Sequence, residues 1–312
     1  MKTTSFQTQL WAPRLKLFLA LSRTPHALLD LAAPSLGAIL CLGAFPSSEV
    51  LVLGLITAFS GYTAVYALND VTDYRIDEEK IQSSGFFGSK TDLDSVFVRH
   101  PLAQGMLSYR QGVFWTVAWA SLAVAGSFLL NPICIVIFLL ASLLEVVYCY
   151  LLKITHWRGL ISGAVKTSGP LAAVFALAPD PTLSFLVVLF LWLFFWEIGG
   201  QNVPNDWADL DADRKLEART LPVHFGPRGS IRIILSSLGI ASAMSLVMFW
   251  VSPRALGFSY LPGALFSGLY FLLLPGYRLY QSKASGEAFH LFNRASYYPL
   301  AMFLVTLLSW AV

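Results

Sequence analysis

The chain has 312 residues, of which 56% are apolar or aromatic and only 12% charged, with a formal net charge of +3. Ordinary globular chains are roughly a quarter charged, so these values exclude disordered, coiled-coil, collagen-like and disulfide-scaffold classes and give no basic surface for nucleic acid. The 34 residues from Gln111 to Leu144 contain no Asp, Glu, Lys or Arg, and a bilayer-spanning helix needs roughly 20 apolar residues. The sequence reads as an all-α integral membrane protein.

Nine spans are predicted in chain order, at about 26–44, 50–68, 111–130, 133–152, 159–178, 181–201, 231–251, 255–275 and 296–312. The basic N-terminus runs into the first span without a cleavage site, so no removable signal peptide is expected. Asn131-Pro132 splits the long uncharged stretch into two helices, because proline is tolerated in a helix's first turn and breaks its middle. With the N-terminus inside, segments 1–25, 69–110, 153–158, 202–232 and 276–294 face the cytoplasm. They hold nineteen of the 21 basic residues. Positive charge concentrates on the inner side of a membrane, so this places the N-terminus in the cytoplasm and the C-terminus outside. Arg254 lies on the opposite side and Lys166 within a span.

Cys41, Cys134 and Cys149 each sit in an apolar run without a CxxC pair, and read as small core hydrophobes. His26, His100, His156, His224 and His290 are scattered, with no two at metal-ligand spacing.

The acids are clustered. Residues 69–77, NDVTDYRID, and 205–213, NDWADLDAD, share the pattern Asn-Asp-x-x-Asp-x-x-x-Asp, and together hold seven of the 18 acids. Each follows an apolar span, the second and the sixth. On a continuing helix Asn69, Asp73 and Asp77 share one stripe with Asp70 beside it, and Asn205, Asp206, Asp209 and Asp213 repeat the arrangement. Carboxylates stacked a turn apart repel and call for a cation. Mg²⁺ fits, since it binds through one or two carboxylates plus substrate phosphates. A single copy is equally well a solvated acidic helix end; two matched copies at inner helix ends point to a site for a diphosphate.

Basic residues nearby would complete such a site: Arg23, Arg99, Lys153, Arg214, Lys215 and Arg219. Arginine would grip phosphate by a bidentate fork and lysine as a point charge. A positive-inside anchor is the plainer role for each. Tyr148, Tyr150 and the stretch FFWEIGG at 194–200 offer aromatic faces able to stabilise a cation. Glu145, Lys166 and Glu197 lie within spans, where charge is costly and often functional. Glu197 is placed at the cavity, and a Glu–Lys pair inside the bundle is the alternative.

At these motifs, and at RHPLAQGMLS, YCYLLK at 148–153, NDWADLDADRKLEARTLPVHFG and FNRASYYP at 292–299, the sequence resembles the UbiA superfamily of intramembrane prenyltransferases. The resemblance covers nearly the whole chain. It implies nine helices around a central cavity, two related halves within one domain spanning 1–312, and an active site at the cytoplasmic face. It also implies Mg²⁺-dependent transfer of a prenyl chain from a prenyl diphosphate to a small acceptor, usually aromatic. A quinone precursor is the first expectation; haem, chlorophyllide and glycerol-phosphate acceptors also occur in the family. Carried across, Asn69, Asp73, Asp77, Asp209 and Asp213 bind Mg²⁺–diphosphate, Asp70 and Asp206 belong to the same motifs, and Arg99 and Lys153 contact phosphate. Four departures stand out: the 21-residue spacer between Asp77 and Arg99 containing SSGFFGSK, RHP for the usual RP, Glu217 where glycine is common, and no proline in the Tyr-to-Lys stretch.

Two other classes remain. An ion-coupled transporter would place its acids near the bilayer midplane on broken helices, whereas the paired acids here lie at one face. A non-catalytic scaffold leaves the matched motifs unexplained. The Asp-Gly-x-x-Ala-Arg lead of CDP-alcohol phosphotransferases is absent.

Overall fold

A computed structural model describes residues 14–84 and 97–310, and among them every regular element is helical. The spacer SSGFFGSK falls largely outside the described residues. Helix α1 covers 14–21, followed by α2 (Thr24–Asp30), α3 (Ala32–Leu42), α4 (Ser48–Ser84), α5 (Tyr109–Leu130), α6 (Pro132–Tyr150) and α7 (Arg158–Leu177). Then come α8 (Leu183–Trp196), a π-helical turn (Glu197–Asn202), α9 (Val203–Ala208), α10 (Leu210–Lys215) and α11 (Leu221–Val251). The chain ends with α12 (Tyr260–Ser267), a second π-helical turn (Gly268–Leu273), α13 (Leu274–Ser282), α14 (Ser285–Ser296) and α15 (Tyr298–Trp310).

Seven helical segments are long and apolar enough to cross a membrane: Thr24–Leu42, Ser48–Gln82, Tyr109–Leu130, Pro132–Tyr150, Arg158–Leu177, Leu183–Ala208 and Leu221–Val251. The expected eighth span is carried by α12, the second π turn and α13, and the expected ninth falls on α15, described to Trp310. The turn at Asn131-Pro132 forms as the sequence predicts: Pro132 opens α6, and the Asn131 side chain accepts a hydrogen bond from the Ile133 amide at 2.9 Å. Ser108 and Gln111 form a capping box that starts α5.

The bundle has two unlike halves. In α8, Phe185, Val188, Leu189, Trp192, Leu193 and Trp196 recur at helical spacing and are all buried, so this helix is the axis of the main core. It packs on α11, α7 and the first π turn, while α3 joins α7 and α15 and so ties the beginning of the chain to its end. Trp196 Nε1 donates to the Ala295 carbonyl at 2.8 Å, and Trp192 Nε1 to the Tyr298 hydroxyl at 3.1 Å. Indole N–H groups buried in this way need such partners. The FFWEIGG aromatics therefore build the core and are not the faces offered to a cation in the cavity. Helices α4 to α7 instead face a cavity of about 500 Å³ that α3, the first π-helical turn, α9 and α10 close from the other side. It runs beside α4 from Val50 to Lys80, about 45 Å at 1.5 Å per residue.

Candidate active site

Helix α4 continues unbroken through the first motif. Asn69, Asp73 and Asp77, one turn apart, line the cavity, and the same stripe continues down through Tyr66 and Tyr62. Asp70 turns to the flank, where it is 3% exposed and accepts a hydrogen bond from Arg23 Nη2 at 3.3 Å. Arg23 also donates to Asn69 Oδ1 at 3.1 Å.

His100, the extra residue of RHP, joins this group. Its backbone sits in the left-handed region at φ 51°, which non-glycine residues visit rarely. Its Nδ1 lies 2.7 Å from Asp77 Oδ2 and 3.6 Å from Asp70 Oδ1. Burial alone would lower the imidazole pKa, but Asp77 and Asp70 outweigh it and raise it to about 9. No histidine was expected here; the insertion itself was the available signal.

The second motif does not repeat the backbone of the first, contrary to expectation. The π-helical turn, Pro204 in the first turn of α9, and Asp209 at φ −95° and ψ 8° break the helix into pieces. Asp209 joins α9 to α10 in the bridge region. The result brings Asn205, Asp206, Asp209 and Asp213 all to the cavity wall.

Two cations from other helices meet these acids. Lys80, one turn beyond Asp77, lies 2.8 Å from Asp209 Oδ2 and 3.4 Å from Asp213 Oδ1. Burial raises the Asp213 pKa, against the pull of Lys80. Arg158, at the start of α7, stacks 4.0 Å over the Tyr148 ring, donates to the Tyr148 hydroxyl and lies 4.0 Å from Asp206 Oδ1. Asn202 donates to the same hydroxyl at 3.0 Å. Sequence reasoning named neither Lys80 nor Arg158, although both lie in the inner basic segments.

Arg23, Arg99, Tyr148 and Glu197 line the cavity as expected. Besides Asp70, three expected residues do not. Lys153 pairs with Glu79 at 2.8 Å on the exposed surface, Lys215 is exposed on α10, and Tyr150 is 69% exposed on the outer face of α6. The reason is helical phase: Tyr148 and Tyr150 are two residues apart and so point to different sides.

The alternative considered for these residues, a Glu–Lys pair inside the bundle, gives way to an Asp–Lys pair. Lys166 pairs with Asp30 at 2.5 Å and donates to the Tyr66 hydroxyl at 2.7 Å, while Tyr66 donates to Asp30. Glu145 accepts from Asn69 Nδ2 at 2.7 Å, and Glu197 Oε1 from Ser162 at 2.7 Å.

The donor set suits a hard divalent cation. Carboxylate and amide oxygens dominate, and Asp73 Oδ1 is buried with no hydrogen-bond partner. Oxygen ligands of this kind are those of Mg²⁺.

Residues 31–307 match the model of the UbiA prenyltransferase family. Digeranylgeranylglyceryl phosphate synthase from Methanosphaera stadtmanae is 21% identical over 202 residues, 64% of this chain and 66% of that relative's length. Two solved structures share the fold. A UbiA homologue from Aeropyrum pernix, in its apo form, gives a TM-score of 0.73 at 18% identity, covering 91% of this chain and 97% of its own. A homologue from Archaeoglobus fulgidus bound to DMAPP and Mg²⁺ gives 0.66 at 17%, covering 93% and 98%.

Proposed function

The chain belongs to the UbiA prenyltransferase family, and from that premise we propose that it transfers a prenyl group from a prenyl diphosphate to a small acceptor within the membrane. The observation that carries this reading is the meeting of two acidic motifs and four cavity-lining cations, Arg23, Lys80, Arg99 and Arg158, at one end of a long, mainly apolar cavity. The Mg²⁺ and DMAPP of the Archaeoglobus homologue support the choice of metal and donor.

Asn69, Asp73, Asp77, Asn205, Asp206, Asp209 and Asp213 would hold Mg²⁺ between the motifs, with Asp70 on the flank. Bound there, the metal would supply Lewis-acid neutralisation of a diphosphate leaving group. Arg158, Arg23 and Arg99 would take non-bridging oxygens from the sides, adding positive potential where negative charge develops as the carbon–oxygen bond breaks. Lys80 neutralises Asp209 and Asp213 and is within reach of the same phosphate. The cavity below the acids, walled by α4, α6 and α7, takes the prenyl chain and excludes water, so the acceptor and not solvent captures the allylic carbon. Tyr66 and Tyr148, the latter with one face covered by the Arg158 guanidinium, line the same end of the cavity and would border the head of the prenyl chain.

The balance of basic residues supports a cytoplasmic position for this end of the bundle, and α12–α13 and α15 would bring the seven segments long and apolar enough to cross to nine passages. For the acceptor, an aromatic quinone precursor is the first reading. A glycerol-phosphate lipid is the second, favoured by the name of the Methanosphaera relative.

The test is Mg²⁺-dependent release of diphosphate from a prenyl diphosphate by the purified protein in detergent or nanodiscs. Release is expected in the wild type and lost in Asp73→Ala and Asp209→Ala. Intact release in both variants would overturn the assignment.

A further inference from the structure

Below the acids the cavity has a second polar level. On α7, Arg158, Ser162 and Lys166 follow at four-residue intervals, so they share one face about 6 Å apart. Arg158 serves the second acidic motif, Ser162 holds Glu197, and Lys166 holds Asp30 and Tyr66. Glu197 thus sits about 6 Å beneath the phosphate-binding cations and a turn above the Lys166 group. It is only 6% exposed, lines the cavity, and its Oε2 is buried with no hydrogen-bond partner. It is the first residue of the π-helical turn, a deviation common at functional sites. A carboxyl group at membrane depth with one oxygen unsatisfied is costly unless something donates to it.

The charge around Glu197 restricts what that donor can be. Lys166 is matched by Asp30 at 2.5 Å. Glu197 has no ion-pair partner among the described residues and takes only the Ser162 hydroxyl at short range, with the Lys166 charge acting on it from a distance, while Glu145 lies higher, on the Asn69 amide. A carboxylate or phosphate brought here would face the Glu197 carboxyl group beside a lysine already shared between Asp30 and Glu197, with Arg23 and Arg158 above given to the diphosphate. A neutral molecule with a hydroxyl group would satisfy Glu197 Oε2 and meet no opposing charge.

Building on the prenyl-transfer reading, we propose that Glu197 is the base for the acceptor, and that the acceptor is an uncharged hydroxylated molecule of the hydroquinone kind. The step balances with no other reactant. The C1–O bond of the prenyl diphosphate breaks, its electron pair leaving on the diphosphate. The acceptor's O–H bond breaks, its proton passing to Glu197 Oε2. The pair from that bond becomes the new bond to C1, at the oxygen or, by conjugation, at a ring carbon. In the second case the ring carbon's own proton moves to the oxygen and restores the hydroxyl. General bases of this type contribute about 10²–10⁴-fold.

The experiment uses the full-length protein with Mg²⁺, a labelled prenyl diphosphate and three probes: naphthohydroquinone under nitrogen, the same diol carrying a ring carboxylate, and glycerol phosphate. Expected is transfer to naphthohydroquinone with kcat/KM at least about tenfold above both anionic probes, the cost of bringing an unpaired charge to this level. Glu197→Gln should lower kcat with naphthohydroquinone by about 10²-fold or more while binding prenyl diphosphate as the wild type does, and Glu197→Asp should restore part of the rate. Preference for either anionic probe, failure to prenylate naphthohydroquinone, or an undiminished Glu197→Gln rate would overturn the proposal and leave prenyl transfer standing. Absence of Mg²⁺-dependent prenyl diphosphate binding in the wild type would instead overturn the transfer reading, and this proposal with it.

Discussion

On α4 the first acidic motif rides a helix that runs straight from Ser48 to Ser84, whereas the second is divided among a π-helical turn, α9 and α10. The same spacing therefore gives two different walls. The straight helix turns Asp70 away from the cavity, toward Arg23 and His100, and leaves Asn69, Asp73 and Asp77 facing in. The broken one directs Asn205, Asp206, Asp209 and Asp213 all inward. More inward acids need more compensation, and the compensation comes from elsewhere: Lys80 from α4 and Arg158 from α7. The two halves of the site are thereby joined across the cavity.

The largest effects should come from the inward acids of both motifs. Asp73→Ala and Asp209→Ala should each reduce Mg²⁺-dependent diphosphate release by about 10³-fold, the scale of removing one preorganised electrostatic contact to a developing charge. Asp70→Asn, on the flank, should cost only about tenfold in the same assay. Equal losses at Asp70 and Asp73 would erase the distinction between inward and flanking acids. Lys80→Met should fall between these, at about 10²-fold in kcat/KM for prenyl diphosphate, because it strips the counter-charge from Asp209 and Asp213 as well as a cation from the phosphate end.

The backbones should respond as differently as the side chains. A Cβ on Gly199 would lie 2.8 Å from Ser237 Cβ, and one on Gly200 2.8 Å from Ala295 Cβ. The π-helical turn packs closely on α11 and α14 at these two points. Gly199→Ala or Gly200→Ala should cost about 1–3 kcal/mol, read as a fall in thermal midpoint. On α4, Gly61 has only the Phe138 ring at 3.7 Å, so Gly61→Ala should be neutral or stabilise by about 0.5–1 kcal/mol.

His100 sharpens the contrast by pH. Its pKa is about 9 in the folded chain against the ordinary 6.5 of a free imidazole, so its pairing with Asp77 and Asp70 stabilises fully below pH 6.5 and is lost as pH rises through about 9. In chelator, the thermal midpoint of wild type should exceed that of His100→Gln at pH 6.5 by an amount equivalent to 1–2 kcal/mol, roughly. The gap should close by pH 9.5. A gap independent of pH would mean that the imidazole only fills space.

Much of this was legible from the residues, for identifiable reasons. Apolar runs and the Asn131-Pro132 break give helices because local rules decide them, and the matched motifs declare the site because carboxylates so close in an apolar chain need a cation. What the residues did not reveal depends on phase and partners. The π-helical turn and the bridge conformation of Asp209 shift the phase of the second motif, so equal spacing was wrongly read as equal geometry. Trp196 looked like a cavity aromatic, yet its phase on α8 sends it to the Ala295 carbonyl. Lys166 looked like a partner for Glu145 or Glu197, but Asp30, 136 residues away, reaches it first. Lys80 and Arg158 carry no motif, and His100 shows only as an insertion in RHP; the fold brings all three to the acids.

The smallest predicted effect tests that last point most directly. Lys153 and Lys215 sit beside the motifs in the sequence, as Arg158 and Lys80 do, but their ammonium groups do not reach the cavity. Lys153 is held at the surface by Glu79, with both side chains more than a third exposed; pairs of that kind contribute about 0–1 kcal/mol and weaken with salt. Lys153→Ala and Lys215→Ala should therefore change kcat/KM for prenyl diphosphate by about twofold or less, the little that an exposed charge adds to steering an anion, and that remnant should vanish in high salt. Arg158→Ala should lose far more, and its loss should persist in salt because the guanidinium is buried against Tyr148 and Asp206. If the surface lysines matched Arg158 under high salt, the phosphate end would extend beyond the cavity, and proximity in sequence would have been the better guide after all.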